Sequence, residues 1–186
     1  MSGKALRLAD SLEPAGPGGA GNLCELPLPR QTDIVILAII DFDFRFQRPQ
    51  QVAVELAARG HRVFWVSPGR VTTAGSPVAY RTRLLRNNLW EVRLRTPARE
   101  PYRDELDETA RQEQTESLRQ LCRDMEISDL VLMVQLPYWR RLALNLRELS
   151  HGLLVYDCMD DWDPFPNISD FICSEEQSLV READLV

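Results

Sequence analysis

The sequence predicts an α/β domain built on an open, mostly parallel sheet with helices on both faces. Three observations predict it. Short apolar runs rich in β-branched and aromatic residues recur at 34–40, 61–66, 89–94, 130–134 and 153–156. Between several of them lie segments with apolar residues at helical spacing, and strands that alternate with helices belong to parallel sheets. Two of the runs, DIVILAII and GLLVYD, then break into acidic and aromatic residues, DFDFRFQRPQQ and CMDDWD, where each strand should end. Ligands of parallel α/β sheets sit outside the carboxyl ends of the strands, so both clusters are candidates to line one crevice.

Residues 1–31 are rich in Gly and Pro without a sustained period and predict a disordered extension ahead of a domain over 32–186. Residues 34–40 form a continuous β-branched run, suited to a strand buried on both faces. Pro49 stands at a first helical position, and Val52, Ala53, Leu56 and Ala57 form an apolar stripe. Gly60 falls where that helix stops. HRVFWV at 61–66 completes a β-α-β unit and Ser67-Pro68-Gly69 closes it. Residues 70–88 predict no element. A third strand follows at 89–94. A charged helix over 104–126 carries Leu118, Leu121, Cys122 and Met125 at helical spacing. LVLMV at 130–134 is the fourth strand and a short helix runs to about Leu149. The fifth strand is 153–156. A helix over 174–182 opens on a Ser-x-x-Gln capping pattern, and Ala183-Asp184-Leu185-Val186 starts another strand. The first strand is expected to be central, with the fourth and fifth beyond it.

Composition narrows the function classes. With 186 residues, 44% of them apolar, the chain can fill one domain core. No stretch reaches the roughly 18 uninterrupted apolar residues of a membrane span. The N-terminus has no apolar core of a secretory signal. Cys24, Cys122, Cys158 and Cys173 form no C-x-x-C pair and no metal-ligand spacing with His61 or His151. A reduced, cytoplasmic chain is therefore expected, without a bound metal or cofactor. The net charge of −6 argues against general nucleic-acid binding. The charge is uneven: residues 70–103 hold eight arginines against Glu91 and Glu100, and an acidic stretch over 104–126 follows. A solvated surface explains this, as does a basic edge for a phosphorylated ligand or a peripheral contact with an anionic inner membrane. Lys4 in the extension is the one lysine.

Asp41-Phe42-Asp43 after a strand is similar to the nucleophile signature of haloacid-dehalogenase-like phosphatases. In those enzymes the first Asp attacks phosphorus and both carboxylates approach Mg²⁺. Arg45 stands where that family prefers Thr or Val, and residues 32–186 contain no Lys for the phosphoryl group. The same tripeptide and Asp161-Trp162-Asp163 are also similar to the D-x-D of metal-dependent glycosyltransferases. Each Asp can equally be a helix cap.

Longer strings are more specific. DFDFRFQRPQQVAVELAARGHRVFWVSPGR resembles the opening of bacterial GT-B glycosyltransferases related to family 4. LVYDCMDDW, followed by E-x-x-L-V-x-x-A-D-L-V, resembles a second landmark of the same group, in the same order. The resemblance covers roughly residues 33–186. It implies the first of two Rossmann-like domains, the acceptor side of a cleft, truncated before the donor-binding domain. It also implies transfer of a sugar from a nucleotide-sugar donor to the hydroxyl of a sugar or glycolipid acceptor, without a structural metal. The donor would need the second domain, and a partner chain is one way to supply it. Asp157, Asp160 and Asp161 are candidates to orient or deprotonate the acceptor hydroxyl. Asp41, Asp43, Gln135, Tyr138 and Trp162 are candidates to bind the acceptor. Phe42, Phe44, Phe46 and Trp139 are further stacking candidates, although aromatics at strand ends also serve as core. Arg48, just before Pro49, is placed to meet a donor phosphate, or to pair with Asp43 or Asp157. His61 at a helix–strand junction reads as structural. A non-catalytic sugar-binding module is the remaining alternative.

Overall fold

The side chains of residues 33–37 are buried on both sides of the backbone, which places β1 (Asp33–Leu37) in the middle of the sheet. The structure, a computed structural model, describes residues 32–71, 78–97, 100–150, 152–162 and 166–186. The extension with Cys24, and also His151 and Asp163, lie outside the described residues. The other strands are β2 (Val63–Val66), β3 (Tyr80–Arg86), β4 (Leu89–Leu94), β5 (Leu130–Val134) and β6 (Leu153–Tyr156). They lie in the order β3-β4-β2-β1-β5-β6, parallel throughout except for the antiparallel pair of β3 and β4. Taken in chain order, the five parallel strands run third, second, first, fourth, fifth. That is the order of a Rossmann-like doubly wound sheet. Beyond β6, Leu185 forms a parallel bridge to Val155, as the sixth strand of that order would.

The alternation of β1 fixes two cores. Ile34, Ile36 and Ala38 pack with Trp65, Leu89 and the Ala53–Ala57 stripe of α1 (Arg48–Ala58). Val35, Leu37 and Ile39 face the other way. They meet Leu118 and Leu121 of α2 (Glu108–Asp124), Leu142 and Leu146 of α3 (Arg140–Ser150), and Ile172 and Leu179 of α4 (Asp170–Glu182). Helices thus cover both faces. Gly60 ends α1 with a φ of 94°, a left-handed conformation that suits glycine best. Asp107 starts α2 by accepting the Ala110 N–H at 2.8 Å.

Three elements differ from the sequence reading. β3 lies where no element was expected. Four consecutive residues, Arg81–Leu84, are exposed on this edge strand, so no apolar period marks it. Asn87 and Asn88 join it to β4, and Asn88 adopts the positive φ (61°) of a two-residue hairpin loop. α4 starts at Asp170, because Ile172 already belongs to the core, and Ser174 lies inside the helix with its hydroxyl donating to the Phe171 carbonyl. β1 ends at Leu37 instead of residue 40 because side chains take over its carbonyls. Trp139 Nε1 donates to Ala38 O (2.8 Å), Tyr102 Oη to Ile39 O (2.8 Å) and Trp65 Nε1 to Ile40 O (3.2 Å). With these acceptors occupied from outside the ladder, the chain bends away from the sheet.

Candidate functional site

That bend opens a crevice of about 560 Å³ beside the carboxyl ends of β1 and β6. Ile39, Ile40, Met159, Trp162 and Ile168 form its apolar wall. Gln47, Glu100, Arg103, Asp160 and Asn167 bring polar groups to it, and Phe44, largely exposed, stands at its edge. Its size and mixed lining are those of a small-molecule site. Tyr102 and Trp162 tilt toward each other at 6.3 Å between ring centres. Burial, with Glu100 and Asp160 adding to it, pushes the Tyr102 phenol up to about 12. Tyr102 is thus a neutral donor at ordinary pH. Trp162 is buried; its Nε1 donates to Tyr156 Oη (3.2 Å), and Tyr156 donates to Glu176 (2.8 Å). Burial holds Tyr156 well above the usual phenol range.

Between the ends of β5 and β6 and the start of α1 lies a second polar group. Asp157 accepts from Arg48 Nη2 at 2.6 Å and from Gln135 Nε2 at 3.2 Å. The carboxylate is the buried partner: its side chain is 10% exposed against 60% for Arg48. Hydrogen bonding and charge from Asp157 hold the guanidinium above its ordinary pKa. Gln135 is fully buried, yet its Oε1 has no hydrogen-bond partner. A buried acceptor without a donor is uncommon.

The structure separates the aspartates that the sequence grouped. Asp41 turns toward the loop after β2 and toward β4, and Asp43 toward β3. The Gly69 N–H donates to Asp41 Oδ1 at 3.0 Å, and Arg93 stands 3.9 Å from Asp41. A Cβ on Gly69 would lie 2.8 Å from that same oxygen, so a side chain there would displace the Asp41 carboxylate. Asp43 pairs with Arg83 at 2.5 Å. Arg83 also donates to the buried Glu91 of β4 (3.0 Å), which accepts from Ser67 Oγ (2.8 Å) and Arg93 (3.3 Å) as well. Asp157 is tied to Arg48 and Gln135, Asp160 reaches the crevice, and Asp161 is exposed beside it. Trp162 supplies wall rather than an open stacking face. Tyr138 lies away from the crevice: it is buried against Trp139 at 4.8 Å, and its hydroxyl accepts from Gln114 of α2. It follows Pro137 in a short turn whose inward side is core. His61 Nδ1 donates to the Thr32 carbonyl at 3.0 Å, a structural tie.

Among the described residues, no three His, Cys, Asp or Glu side chains converge as metal ligands. No family model matches the chain, and neither does any curated protein. The sequence reading had not singled out Glu91, Tyr102 or Ile168. A lone Glu within LWEVRL is a detectable signal, since a carboxylate in a buried strand needs partners. Tyr102 and Ile168 belong to connecting segments without a pattern.

Proposed function

We propose that residues 32–186 form the acceptor-binding domain of a GT-B-type glycosyltransferase. The observation that carries this reading is the crevice at the ends of β1 and β6, because both strings that resemble the family contribute to it. Phe44 and Gln47 come from the first string, and Met159, Asp160 and Trp162 from the second. An amphipathic sugar fits such a lining: its apolar face lies on Ile40, Met159 and Ile168, and its hydroxyls meet Asp160, Asn167 and Arg103. Asp160 is the residue to take the proton as the acceptor oxygen attacks the anomeric carbon and the nucleotide diphosphate leaves with the cleaved C–O pair. Arg48 and Gln135 keep Asp157 in place as a support. The nucleotide-sugar donor is taken by a second domain, in cis or from a partner chain. Exposed Phe44 and Phe46 beside Arg45 suit a peripheral contact with the membrane holding a glycolipid acceptor.

Saturation-transfer NMR of the 186-residue chain with methyl and octyl glycosides, nucleotide-sugars and p-nitrophenyl phosphate tests this reading. Glycosides should bind, with signal lost in Asp160→Asn and kept in Asp161→Asn. Nucleotide-sugars should bind weakly or not at all. Equal glycoside binding by Asp160→Asn would overturn the assignment. Mg²⁺-dependent hydrolysis of the phosphate ester that Asp41→Asn abolishes would replace it with a phosphohydrolase. The geometry weighs against that alternative, because Asp41 and Asp43 are engaged separately by Gly69 and Arg83.

A further inference from the structure

We propose that the β3–β4 hairpin carries a site for a phosphoryl group, formed by Arg81, Arg93 and Arg95. The register pairs Arg81 with Arg93 and Arg83 with Glu91, and cross-strand partners share one side of a sheet. Alternation along the strand brings Arg95 to that side as well. Four guanidiniums thus line one surface of the hairpin. Like charges directly opposite each other are unfavourable unless an anion lies between them.

The nearby carboxylates supply that anion only in part. Glu91 is used by Ser67, Arg83 and Arg93, and Asp43 by Arg83. Asp41 accepts from Gly69 and stands 3.9 Å from Arg93. Among the described residues Arg81 and Arg95 have no acidic partner. The Nε atoms of Arg93 and Arg95 are buried without an acceptor, a second and independent sign of an incomplete anion site. Buried Glu91 accepts from both Arg83 and Arg93 and so draws their half-exposed side chains to this surface. Planar, multidentate guanidiniums match phosphoryl oxygens in geometry and charge. The chain as a whole carries a net charge of −6, so attraction of an anion here is local and not a general effect of charge.

The phosphoryl group can belong to a soluble diphosphate or to a phospholipid headgroup, and the test separates the two. The full chain is titrated with inorganic pyrophosphate while the arginine Nε–H resonances are followed, and is sedimented with phosphatidylcholine vesicles with and without phosphatidylglycerol. The resonances of Arg81, Arg93 and Arg95 should move. R81Q/R95Q should weaken binding by about tenfold or more, as loss of charged hydrogen bonds implies. R59Q, just after α1, should leave binding unchanged. Pyrophosphate binding identifies a soluble ligand, and binding to anionic vesicles alone identifies a headgroup. Binding of neither, equal affinity for R81Q/R95Q, or shifts confined to other arginines would overturn the proposal. The wild-type resonances decide it even if the double variant is unstable.

Discussion

Glu91 offers the sharpest test of how this sheet is held together. It is buried in the strand next to the edge, and removing its side chain has three separable effects. Ser67, itself buried, loses the acceptor of its hydroxyl, at 2.8 Å. A bond to a charged group contributes about 1.5–3 kcal/mol. The two arginines matter less. Their side chains are 52% and 40% exposed, so each can turn to water, and about 0.5 kcal/mol apiece is appropriate after screening. Loss of the Glu91 methylenes adds about 1 kcal/mol. Glu91→Ala should therefore destabilise the chain by about 3.5–5 kcal/mol, and Glu91→Gln, which keeps volume and one acceptor, by about 1.5 kcal/mol. Urea unfolding followed by tryptophan fluorescence measures both. A double-mutant cycle with Ser67→Ala should return a coupling of about 1–2 kcal/mol. A loss below about 1 kcal/mol for Glu91→Ala would refute the reasoning, because the carboxylate would then be no better placed than one at the surface.

Trp139→Phe removes the donor to the buried Ala38 carbonyl and should cost about 2–4 kcal/mol in thermal or urea unfolding; a loss under 1 kcal/mol would mean that the carbonyl finds another partner. Gly152→Ala should cost about 1–3 kcal/mol, since its Cβ would meet the Leu130 carbonyl oxygen at 2.7 Å, whereas Gly69→Ala need only displace the Asp41 carboxylate and should cost less in the same assay. Burial pushes the Tyr102 phenol up to about 12, and burial with hydrogen bonding to Asp124 does the same for Tyr80. The unfolded chain releases these protons from about pH 10, so stability present below pH 10 should fall between pH 10 and 12. Tyrosinate absorbance and urea midpoints across that range check this, and Tyr102→Phe should flatten the decline.

The central sheet was legible because its strands are buried on both faces and their apolar runs are unbroken. β3 was not, because an edge strand with arginines on its solvated side carries no apolar period; only the Asn87-Asn88 pair hinted at a hairpin. The start of α4 was hidden for a related reason: Ser174-x-x-Gln177 mimics a cap, while the residue that anchors the helix, Ile172, lies before it. Of the site, the strand-end aspartates were legible as a group. Arg48 was open to pairing with Asp43 or Asp157 and pairs with Asp157, whereas the pairing of Asp43 with Arg83 was not legible, because it depends on which arginine folds back onto it. Arg83 reaches Asp43 across 40 positions of sequence and Arg48 reaches Asp157 across 109. No local pattern encodes such distances. Tyr138 shows the converse, a polar aromatic at a strand end that satisfies its hydroxyl within the core.

The three aromatic donors at the end of β1 also bear on how the chain folds. They reach consecutive carbonyls from 25, 63 and 101 positions away. Each bond closes a longer loop than the one before, and the entropy of such closures must be met before the contact can form. The final shape of the bend at residues 38–40 therefore depends on β2, the 100–103 turn and the segment following β5 together. One wall of the crevice thus depends on three parts of the chain that lie far apart in sequence. Substitutions that loosen any one of the three segments will register as a shared loss of amide-exchange protection at the crevice, even when they lie far from it.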